Sequence, residues 1–143
     1  MTREQVLALT GRSFDAAVAA LVLGWSSLGA WTLASPPDDD DWFGLPPGVR
    51  AGKPHAPPRF HADAAADYTV LQHVREAWRW DNPKLFAFTD ALGDIWNVRA
   101  YAGTPFEGAL TDPACAPQLS LCRMYEPGDY ARAALLALAE ERS

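Results

Sequence analysis

Seven prolines fall within the 24 residues from Ser35 to Pro58, a density expected to break any regular helix or strand. Each of Pro36, Pro37, Pro46, Pro47, Pro54, Pro57 and Pro58 fixes φ and removes a backbone donor. The stretch 35–58 therefore reads as a long ordered loop, and the core has to come from the segments on either side. Trp42, Phe43 and Leu45 lie inside the loop as apolar tacks that hold it to that core. Asp38 to Asp41 form the one acidic run. Calcium loops space their oxygens at alternate positions and close with a bidentate Glu, so four consecutive aspartates read instead as a solvated acidic stretch.

Ahead of the loop, Thr2 and Gln5 stand at the capping-box positions of a short helix over Arg3 to Leu9, which Gly11 ends. Ser13 is expected to cap a second helix, with Asp15 near its positive dipole end. Phe14, Val18, Leu21 and Val22 share one apolar face, and Gly24 supplies the stop. Beyond Trp25 the segment AWTL suggests a short strand.

After the loop comes PPRFHADAAADYTVLQHV. Asp63 is placed to cap a helix over Asp63 to Trp78, with His61 as the alternative cap. Ala66, Val70, Val74 and Ala77 recur at helical spacing, flanked by Leu71 and Trp78. In LFAFTDALGDIWNVRAY, Leu85–Thr89 and Ile95–Tyr101 are rich in aromatic and β-branched residues around Gly93-Asp94, which predicts a β-hairpin. A loop carrying Gly103, Pro105, Gly108, Pro113 and Pro117 follows. The last helix is ARAALLALAEE, with Asp129 near its start as the cap.

A chain of 143 residues, 49% hydrophobic and 11% aromatic, fits one folded domain over 1–143 with a sizeable core. The formal charge of −6 and only two lysines, Lys53 and Lys84, argue against strong nucleic-acid binding, which needs clustered cations. The apolar run Ala16–Trp25 is too short to span a bilayer and lacks the basic start of a signal peptide, so a cytoplasmic protein is expected. Cys115 and Cys122 have no metal-knuckle spacing and are expected to be free thiols rather than a disulfide.

Four pieces in order carry a resemblance: TREQVLALTGRSFDAAVAALVLGW, PPRFHADAAADYTVLQHV, IWNVRAY, and APQLSLC followed by ARAALLALAE. The chain resembles the phage ABA sandwich domain, a small domain of bacteriophages and prophages. RMYEPGDY, Arg123 to Tyr130, departs from that pattern by interrupting the approach to the last helix. The resemblance implies an α+β fold with an antiparallel sheet sandwiched by helices, and a phage-encoded accessory protein. It supplies no catalytic residues.

The residues themselves contain no Gly-x-Ser-x-Gly elbow, no phosphate loop and no metal-ligand spacing. His61 and Asp63 form a His-x-Asp pair that would need a third group, such as Asp67 or His55, to act as acid and base. REAWRWDN interleaves arginines with tryptophans, a combination that stacks on planar ligands and pairs with anions. The expected function is thus non-enzymatic capture of a host small molecule or host protein, with a nucleotide immune signal as one target. The expected ligand-binding residues are Trp42, Arg59, Phe60, His61, Arg75, Trp78, Arg79 and Trp80, with no catalytic residue, metal or cofactor. A structural or regulatory module acting through protein contacts, including a homo-oligomer, is the alternative, as is an enzyme using His61 and Asp63.

Overall fold

The computed structural model describes residues 1–30, 42–48, 55–100 and 124–139, with backbone alone at 27–30, 42–43 and 100. Helix α1, Arg3–Ala8, opens with the expected capping box: Thr2 Oγ1 accepts from Gln5 N at 3.2 Å, and Gln5 Oε1 accepts from Thr2 N at 2.8 Å. Helix α2, Gly11–Ala17, starts two residues before Ser13, with Thr10 at its N-cap position. Ser13 is not the cap; its hydroxyl donates to the Thr10 carbonyl at 2.7 Å. The helix then widens into a π segment, Val18–Val22, whose extra residue per turn turns Val18, Ala19 and Val22 inward and leaves Leu21 exposed. Gly24 ends it at φ +78°, a left-handed conformation that costs glycine little.

Strand β1, Ser26–Ala30, pairs antiparallel with β2, Trp42–Leu45, through Ser26 with Leu45, Gly29 with Phe43 and Ala30 with Trp42, so the stretch expected to be all loop contains a strand in its proline-free run between Pro37 and Pro46. An irregularity between Ser26 and Gly29 offsets the register. Gly44 and His55 exchange both backbone hydrogen bonds, at 2.9 and 2.8 Å, so the chain on either side of the 49–54 stretch is held together by its backbone. Asp38–Asp41, Cys115 and Cys122 lie outside the described residues.

Helix α3, Ala64–Ala77, is capped by Asp63, which accepts from Ala65 N at 3.0 Å. Its buried stripe is Asp67, Val70, Val74 and then Trp78, one residue round from the predicted Ala66-to-Ala77 face. The predicted hairpin does not form: residues 82–100 are one helix, α4, Asn82–Ala100, in which Pro83 takes an early position that needs no donor. Phe88, Ala91, Leu92, Ile95 and Trp96 follow helical spacing and point into the core, and this periodicity overrides the β-propensity of the segment. The only sheet among the described residues is the two-stranded β1–β2 ribbon, so the expected antiparallel sheet sandwiched by helices is replaced by a mostly helical packing.

Helix α5, Asp129–Leu138, lies at the centre of that packing and meets α1, the π segment, α3 and α4. Ala131, Ala133 and Ala134 are fully buried, and their small side chains let the surrounding helices come close. Phe14, Phe60, Val70, Val74, Trp78 and Leu135 fill the space around it. Each large apolar side chain so buried contributes about 1.5–3 kcal/mol.

Candidate functional site

Three buried aspartates look like a catalytic set in isolation, yet each is consumed by the architecture. Asp67 on α3 is wholly buried and accepts from Tyr125 Oη at 2.7 Å, Ala131 N at 2.8 Å and Tyr130 N at 3.2 Å. The N-cap residue of α5 is Gly128, which has no side chain to offer, so Asp67 caps that helix from a neighbouring one. Burial raises the Asp67 pKa above the ordinary carboxylate value, against the hydrogen bonds that lower it. Tyr125 is pushed up in turn, by burial first and then by Asp67.

Asp129 receives a two-pronged contact from Arg99, at 2.7 and 2.9 Å, together with Trp96 Nε1 at 3.0 Å and Glu126 N at 2.8 Å. Arg99 also donates to the Met124 carbonyl, tying the end of α4 to the start of α5. The hydrogen bond to Asp129 raises the Arg99 pKa. Asp15 is fully buried and accepts from Arg12 Nη1 at 2.8 Å and from His61 N at 3.0 Å, while its Oδ2 lies 2.7 Å from His61 Nδ1. Arg12 Nη2 donates to the Pro57 carbonyl at 2.6 Å. His61 is therefore neither a helix cap nor paired with Asp63; it locks the end of the proline-rich stretch to α2. No group of three or more His, Cys, Asp or Glu among the described residues could hold a metal.

Phe60 is wholly buried and Trp78 nearly so, packed edge-on against Phe88, so neither offers a face to a ligand. Arg59 is on the surface, where it has partners of its own. Trp42 contributes its backbone to β2, and its side chain lies outside the described residues. Arg75, Arg79 and Trp80 remain exposed, Arg75 in the last turn of α3 and Arg79 and Trp80 in the turn that follows. Trp80 is 85% exposed, with the Arg79 guanidinium 5.3 Å from its ring centroid. Arg75 lines a shallow groove of about 250 Å³ with Gln72 and Glu76.

A second groove, of about 390 Å³, runs between Leu23, Trp25 and Pro47 on one wall and Gln72, His73 and Glu76 on the other. Sequence reasoning passed over Trp25, Gln72 and Glu76. The spacing of Gln72, Arg75 and Glu76, at i, i+3 and i+4, would have shown them as one polar face of α3. No helix of the described residues is long and apolar enough to cross a membrane. No known family model matches this chain, and no curated protein or solved structure is significantly similar to it.

Proposed function

We propose that this chain is a non-enzymatic binding protein that captures a host molecule at the Trp80 corner, in keeping with a phage-encoded accessory role in the host cytoplasm. One observation carries the reading: a tryptophan 85% exposed, stacked by an arginine, at the tip of a turn. An exposed indole keeps a large apolar surface in water, and covering it is favourable for any ligand with a flat face. Arg79 and Arg75 add two guanidinium groups able to grip an anion in a forked contact. A planar anionic ligand such as a nucleotide fits that combination, and the phage resemblance makes a nucleotide immune signal one such target.

Trp and Arg are also the residues that most often anchor protein interfaces, so a host protein is the second reading for the same corner. Thermal unfolding against linear and cyclic nucleotides separates them, since a ligand of the native state raises the melting temperature. A shift that disappears in Trp80→Ala supports nucleotide capture. A flat panel, with a host protein retained by the native chain and lost from Trp80→Ala, supports the second reading. Ligand-induced stabilisation indifferent to both Trp80 and Arg79 refutes the corner as the site.

A further inference from the structure

We propose that the larger groove, between the end of the π segment and α3, is a binding site for a small organic cation. This inference does not rest on the Trp80 reading, because it uses other side chains and the opposite charge. The groove is shallow and largely open, with a volume of about 390 Å³, so it would cover one face of a small ligand. Its apolar wall carries the indole of Trp25, the ring that attracts cations best. Its polar wall carries Gln72, His73 and Glu76, none of which has a hydrogen-bond or ion-pair partner among the described residues. Thr69, at the same wall, already donates its hydroxyl to the Ala66 carbonyl at 2.6 Å.

The electrostatics choose the sign of the ligand. Glu76 is the sole formal charge among the described lining residues. The lining residues lie near two helix ends in the chain: the π segment ends at Val22, just before Leu23 and Trp25, and α3 ends at Ala77, just after Glu76. Each such end carries a partial negative charge of about half an electron. Arg75 is the nearest cation in sequence; it lines the smaller neighbouring groove, which shares Gln72 and Glu76 with this one, and it forms no ion pair with Glu76. The net charge of −6 attracts cations from a distance. A quaternary or primary ammonium group would meet the Trp25 face and the Glu76 carboxylate, with Gln72 and His73 as hydrogen-bond partners for a polar tail.

Calorimetric titration of the full chain with choline chloride, and separately with putrescine, tests the site against its uncharged counterpart 3,3-dimethylbutanol. The expected result is saturable binding of at least one cation and none of the alcohol. Glu76→Gln should weaken that binding about tenfold, the loss of one charge-assisted contact. Glu76 is exposed, so this variant should unfold at the wild-type temperature, which a melting curve verifies. Trp25→Phe keeps a ring against the core and should weaken binding several-fold, while Trp80→Ala should leave it unchanged. The proposal is overturned if neither cation saturates up to about 10 mM, a concentration beyond any useful affinity. It is also overturned if the alcohol binds as well as choline, or if Glu76→Gln binds like the wild type.

Discussion

Replacing Gly93 by alanine discriminates directly between the helix that forms over residues 82–100 and the hairpin its composition suggests. Gly93 sits in the interior of α4, and a Cβ built there meets nothing within 4 Å. The substitution therefore adds no clash. It removes the backbone freedom that glycine loses on folding, a gain of about 0.5–1 kcal/mol in a helix interior. For a domain of this size that corresponds to a rise of roughly 2–6 °C in melting temperature. Urea unfolding followed by circular dichroism gives the same quantity from the midpoint, provided the slope is unchanged. Gly24→Ala is the matched control. It too has open space around its Cβ, but its φ is +78°, so alanine there should cost about 1–2 kcal/mol. A Gly93→Ala protein destabilised by about 1 kcal/mol or more would mean that this glycine needs a left-handed turn conformation, and α4 as a single helix would be refuted.

Two further substitutions probe the buried carboxylates. Because burial raises the Asp67 pKa, the folded chain binds this proton more tightly than the unfolded one. Its contribution to stability is full below the unfolded value of 3.8 and is lost as pH rises through the folded value. The stability of wild type relative to Asp67→Asn should therefore fall as pH rises above the unfolded value of 3.8 in urea titrations, and a rise would contradict the burial argument. Asp15→Ala leaves the Arg12 guanidinium, 4% exposed, without its counter-charge and should cost about 3–5 kcal/mol in urea unfolding. His61→Ala removes a half-buried ring while leaving that ion pair intact and should cost visibly less; an equal cost would show that the pair depends on the imidazole.

The elements whose signals are local were legible in the sequence. The Thr2–Gln5 capping box, the Asp63 cap and the Gly24 stop are decided within four residues, and the structure contains all three. Over residues 85–100 the β-propensity of Phe, Ile, Trp and Val and the turn chemistry of Gly93-Asp94 point to a hairpin that does not form. The stronger signal was the recurrence of Phe88, Leu92, Ile95 and Trp96 on one helical face. The roles of Asp15, Asp67 and Asp129 depend on partners 46, 64 and 30 residues away, in His61, Ala131 and Arg99, although Arg12 stands only three residues before Asp15. A clue was still present at Asp67, an acid three residues before Val70 on the apolar stripe of α3. Such a residue stays buried only where donors converge on it. At REAWRWDN the interleaving of Arg and Trp is plain in the sequence, but only packing could separate the buried Trp78 from the exposed Trp80.

The claim that Trp80 is the anchor of a binding surface is tested most directly by the indole N–H resonances of the six tryptophans, with Trp80 assigned by its loss in Trp80→Phe. During titration with a nucleotide that raises the melting temperature, the account predicts that the Trp80 resonance moves first and furthest, and that Arg79→Ala weakens the same titration about tenfold. Saturable nucleotide binding that leaves the Trp80 resonance in place would contradict it.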